Sequence, residues 1–269
     1  MKPRKPIRAG GFSLVELMTA LAILLIVSGF AFELLTLSMK KYHSDSQLLN
    51  TFQEARFGLD QMVRDINDSG FPPRVSIQPG TTPPFQRYAV SPFAWGPPGT
   101  YPNSPCAIGT TCSLTPGSYD MIIETDIDPQ NHSGTVEWIR YQLNGTTLYR
   151  GVAPKSSNPG ADPEAITSGF LVPYVQNVMN NPPAAQLATL QAQYPAMFPS
   201  GPVPVFQYFC ESTPQPVDCA DPIASTDDPT HVVSVVVTLI VQAPTADMTT
   251  GRLQLVQLKG EGRRLNPDN

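Results

Sequence analysis

The sequence predicts an α+β protein: one long N-terminal α-helix, its first half transmembrane, packed on an antiparallel β-sheet domain with long proline-rich loops. Three observations carry this. From Phe12 to about Ser69 there is no proline, and glycine occurs only at positions 29 and 58. Leu48, Phe52, Ala55, Leu59, Met62 and Ile66 then recur at the three-and-four spacing of one helical face. Beyond residue 118 come several runs of strand formers, one pair of them joined by Asn144-Gly145, the strongest short hairpin signal in the chain.

The helix is predicted over residues 12–70. A helix of about 58 residues is roughly 87 Å long. Its character changes along that length. Leu17 to Phe32 holds no charge, which gives about 24 Å of helix against a hydrocarbon core of about 30 Å. A span must therefore take in the Phe12 end or extend past Glu33 towards Met39, so the transmembrane part is set at about 12–39. In the first register Glu16 lies in the membrane or at its edge, where a carboxylate costs about 2.5–3.5 kcal/mol unless it is shallow or paired. Lys40 to Gln47 forms a polar neck. The amphipathic part, 48–66, needs cover, and the chain's own C-terminal domain is the nearest surface. Ser69-Gly70-Phe71-Pro72-Pro73 stops the helix.

The chain has 269 residues and a net charge of −5. Lys2, Arg4, Lys5 and Arg8 precede Gly11 with no acid among them, and a chain cut after Gly11 keeps 13 basic against 22 acidic residues. That sign argues against a nucleic-acid partner. All but two of the 30 prolines lie from Pro72 onward, which makes residues 70–72 a composition boundary.

Gly11-Phe12-Ser13-Leu14-Val15-Glu16, after a basic leader and before an apolar helix, resembles the type IV prepilin signature. The resemblance implies a leader of residues 1–11, cleavage between Gly11 and Phe12, N-methylation of Phe12, and a Glu16 that pairs with the freed amine of a neighbouring subunit. An amine and a carboxylate placed in hydrocarbon each need a partner. Arg56 to Ile66 followed by Gly70-Phe71 resembles the helix end of minor pilins of the PilW kind and of the J-type pseudopilins of type II secretion, and the Tyr141 to Arg150 hairpin resembles that of the J-type pseudopilins. The fold implied is pilin-like, with residues 71–269 as a periplasmic or extracellular β-rich domain. The implied location is the bacterial inner membrane, single pass with the C-terminal domain periplasmic, and then a pilus or pseudopilus. The implied partners are other pilins or pseudopilins, the prepilin peptidase, the inner-membrane assembly platform and membrane lipid. The competing readings are a secretory signal cut near Gly29-Phe30-Ala31 and a plain single-span anchor for a periplasmic binding or enzymatic domain.

Within the domain, residues 72–118 carry eleven prolines, so regular structure is not expected there. A loop of that length is functional or tied down. Trp95 and Tyr101 are candidates to pack back on the sheet, and an exposed recognition surface is the other reading. Four cysteines allow three connectivities, and the local pairs Cys106–Cys112 and Cys210–Cys219 are favoured because each closes a short loop. Neither spacing suits zinc. Strands are expected at 119–124, 135–143, 146–152, 170–179, 203–210, 231–243 and 252–258. Val232 to Val241 is the central one, and a short helix lies within 182–198.

Sites for chemistry are sparse. His43, His132 and His231 are far apart, and neither a G-x-S-x-G elbow nor a G-x4-G-K-S/T phosphate loop occurs. Ser225, Asp228 and His231 are close in sequence, but such neighbours ordinarily bond to their own loop. Asp126, Asp128 and Gln130, with Glu137 eleven residues after Asp126, partly match a Ca²⁺ loop. Asn131 stands where that loop needs glycine. No enzyme activity and no cofactor are expected.

Overall fold

Helix α1 runs unbroken from Leu14 to Asn67. The computed structural model describes residues 11, 13–77, 83–128, 134–221, 227–246 and 251–265. The helix ends two residues before the Ser69 expected from the glycine stop. The N–H of Asp68 closes the last turn, and Gly70 then takes a φ of +80°, a conformation costly for any residue with a Cβ.

Two antiparallel sheets follow. The first has β1 (Phe93–Ala94), β2 (Asp120–Thr125), β3 (Glu137–Asn144), β4 (Thr147–Pro154) and β5 (Val172–Val175) in sequential order. The second is ordered β7-β6-β8-β9, from β6 (Phe206–Cys210), β7 (Val217–Asp218), β8 (Val232–Ala246) and β9 (Leu253–Arg263). Strand β8 is interior, as its aliphatic run predicts, with β6 on one side and β9 on the other. Short helices α2 (Arg74–Ile77), α3 (Pro163–Ser168) and α4 (Ala184–Gln193) fill the connections.

The second half of α1 lies on β8 and β9 and touches β5 and β2. Every residue of the predicted stripe is buried or half-buried, and Ala55 and Met62 are fully so. Two glycines permit this closeness. A Cβ on Gly58 would sit 2.5 Å from Val175, and one on Gly262 would sit 2.7 Å from Ile66. The stripe joins Met121, Ile123, Ile139, Val235, Val237 and Leu239 in one core.

Several boundaries move, each for a local reason. The strand expected over 170–179 is only Val172–Val175, because Asn177 takes a positive φ of 59° and turns the chain before Val178 bridges to Val241. The β3–β4 turn falls on Gly145-Thr146, with Asn144 paired to Thr147. Glycine is then at the first central position with φ +60°, where a type II′ turn wants it. Strand β3 alternates poorly because both its faces are covered: Tyr141 faces α1, while Arg140 bonds to the Glu164 carbonyl of α3. Residues 72–118 are less irregular than expected, since Phe93–Ala94 pairs with Ile123 and Ile122 as an edge strand. Trp95 and Tyr101 are buried there with Ile122 and Trp138 in a second core.

Candidate assembly helix and processing site

Gly11 is exposed, and Phe12 lies outside the described residues. Ser13 caps α1: its Oγ accepts from the Glu16 N–H at 3.3 Å, while Glu16 Oε2 accepts from the Ser13 N–H at 3.0 Å. This capping box satisfies two backbone donors that would otherwise be orphaned at the helix start. It also holds the Glu16 carboxylate beside the positive end of the helix dipole. Cutting after Gly11 leaves the Ser13 N–H intact as an amide, so the cap survives processing.

From Leu14 to His43 the helix makes no burying contact with the rest of the chain apart from a half-covered Ser28. Leu17, Leu21, Leu25, Phe30, Phe32 and Leu35 are all more than half exposed. Thr19 and Thr36 donate their hydroxyls to carbonyls of the preceding turn, which satisfies these two groups within the helix itself. The first contact with the domain comes at the polar neck, where the Ser44 and Thr245 hydroxyls lie 3.0 Å apart at the far end of β8.

Two buried polar networks fix the domain to this helix and to its own loops. Asp65 on α1 accepts from Tyr141 at 2.5 Å, from Arg150 at 2.9 Å and from Gln61 at 2.7 Å. Burial, then the neighbouring Asp65 charge, pushes the Tyr141 hydroxyl well above the ordinary tyrosine range. Glu124 in β2 accepts from Tyr101, from Trp138 Nε1 at 2.7 Å and from the Val90 N–H at 2.8 Å, and pairs with Lys155 at 3.4 Å. The Lys155 ammonium also lies 4.1 Å from the centre of the Phe85 ring and donates to the Tyr88 carbonyl at 2.8 Å. Burial lowers Lys155, and Glu124 opposes that shift. These contacts tie the proline-rich segment down. Neither network is visible in sequence spacing, since Asp65 and Arg150 stand 85 residues apart. The one available signal is an acid beside Ile66 on the apolar stripe.

Cys106 is bonded to Cys112, and Cys210 to Cys219, so no thiolate remains for zinc. In the partial Ca²⁺ loop, Asp126 accepts from the Asp128 N–H and Glu137 from the Ile127 N–H. These carboxylates hold their own turn, and Gln130 and Asn131 lie outside the described residues. Among the described residues no group of three His, Cys, Asp or Glu side chains converges as a metal site. Asp228 accepts from the Thr230 N–H at 2.8 Å and meets His231 Nδ1 at 2.9 Å, capping a short 3₁₀ turn, while Ser225 lies outside the described residues.

Residues 7–32 match the family described as "Prokaryotic N-terminal methylation motif". No curated protein and no solved structure matches the chain. The motif supports a pilin-type protein: a prepilin-peptidase substrate, anchored by its apolar helix, that assembles with other pilins.

Proposed function

We propose that this chain is a minor pilin or pseudopilin, of the PilW kind or the J type, that initiates or caps a type IV pilus or a type II secretion filament. Its role is structural, not enzymatic. Prepilin peptidase cuts after Gly11, and Phe12 becomes the methylated N-terminus. The domain stays on the periplasmic side until assembly at the inner-membrane platform. One observation supports this reading above the others. The methylation motif sits at the start of a helix whose first half is bare of its own domain while the second half is built into it. Such a helix needs lipid first and other subunits later. In this reading Glu16, held at the helix start by its capping box, takes the amine of a neighbour.

Co-assembly tests this. Glu16→Ala should leave membrane insertion intact and cut the amount of chain recovered with partner pilins by roughly tenfold or more, the cost of stranding a buried amine. Recovery equal to wild type would support a membrane-anchored domain outside any filament.

A further inference from the structure

The exposed apolar surface of α1 does not end where the bilayer does. Leu14 to Met39 spans about 39 Å at ~1.5 Å per residue, against about 30 Å of hydrocarbon. Tilt alone would have to reach about 40°, the limit seen for membrane helices. At the edge of that excess sits Glu33, between Phe32 and Leu34, with Leu35, Leu37 and Met39 following. Each of these apolar neighbours is more than half exposed. Glu33 is exposed and has no hydrogen-bond or ion-pair partner among the described residues. The nearest cations in sequence, Lys40 and Lys41, lie two turns on, about 10–12 Å along the axis. That is beyond salt-bridge reach, and their long stems favour the membrane surface.

Glu16 and Glu33 are about 25 Å apart along the helix, less than the hydrocarbon thickness. At least one of them therefore touches the apolar layer in any untilted register. The capping box gives the Glu16 carboxylate a local donor, the Ser13 N–H, and Glu33 has no equivalent. One turn before it, Gly29 leaves open space around its Cα on the face that Glu33 shares, so a second helix can come close there.

We infer that Glu33, with the Gly29 notch and the Leu34–Met39 surface, is a second assembly contact that takes a Lys or Arg side chain from the helix of another pilin-like subunit. This rests on the filament reading above and adds to it the chemistry of one partner group. A carboxylate closed between two apolar helices is stable only with a cation or a proton, and a facing cation also fixes the stagger of the two helices.

The test uses full-length chain in cells that make its own filament. Wild type, Glu33→Gln, Glu33→Leu and Glu33→Asp are compared for membrane level, processing and recovery in sheared filaments. All four should insert and be processed alike. Gln and Leu should lower recovery roughly tenfold, because each strands the partner's cation, and Asp should retain part of it. Gln or Leu recovered at the wild-type level overturns the inference and leaves the filament reading standing. Gln marks the case in which a protonated carboxyl is enough. Wild type missing from the filaments overturns both.

Discussion

The two halves of α1 share one secondary structure and have opposite surroundings. From Ser44 to Asn67 the helix is built into the domain: Ala55 and Met62 are fully covered, and Asp65 is locked to Tyr141 and Arg150. From Leu14 to His43 nearly everything is open, and most of what is open is apolar. Helix propensity does not distinguish them. What differs is spacing: the second half places its apolar residues on one face, while the first is apolar all round. An all-round apolar helix has no preferred side to lay on a single sheet, so its cover must surround it, as lipid or a bundle of other helices does. The contrast ties the second half to the stability of the domain and leaves the first half to a cover from outside the chain.

Four substitutions break or sharpen that comparison. The largest effect is expected from Asp65→Ala, which leaves the Tyr141 hydroxyl and the Arg150 guanidinium facing a buried gap. Loss of one partner from such a pair costs about 3–5 kcal/mol. Denaturation of the detergent-solubilised full chain, followed by fluorescence of the two buried tryptophans Trp95 and Trp138, reads this directly. An effect under about 1 kcal/mol, the scale of a surface pair, would mean the helix is less firmly held than the geometry shows.

The next is a matched pair. Met62→Ala should destabilise the domain by about 3 kcal/mol, as a buried methionine truncation does. Leu25→Ala, in the exposed half, should leave the same unfolding curve unchanged. A domain that weakens on Leu25→Ala would show contacts between the halves that the division excludes.

The smallest effect lies away from the helix. Burial raises the Asp228 carboxyl, but hydrogen bonds from Thr230 and His231 outweigh it and hold the group below the ordinary aspartate range. A lowered folded value gives stability that is present above the unfolded pKa of about 3.9 and fades as pH falls through the folded one. Wild type should therefore be more stable than Asp228→Asn at neutral pH, with the gap closing below about pH 4. A constant gap down to lower pH would remove the charge from the account of that turn.

The sequence displays these features unevenly. The helix and its stripe were legible because proline is missing from Phe12 to Ser69 and the spacing repeats over several turns. The β3–β4 hairpin and the interior strand β8 were legible from Asn-Gly and from a run of β-branched residues. Helix α3 is not legible in the sequence: six residues are too few for periodicity, although Asp162 before Pro163 is a start signal, and Asp162 does accept from the Glu164 N–H. Strand β1 has two residues between prolines and exists only because β2 offers it an edge. The motif at Gly11–Glu16 needed only local spacing to be found. The Glu124 and Asp65 networks join residues far apart in sequence, and only the folded chain brings them together.

The mature N-terminus decides between a pilin-type chain and a secreted or simply anchored one. Intact-mass and N-terminal peptide analysis of the protein from cells with an active prepilin peptidase should find N-methylated Phe12 as the first residue. Protein that still begins at Met1, or that begins near Phe32, would contradict it.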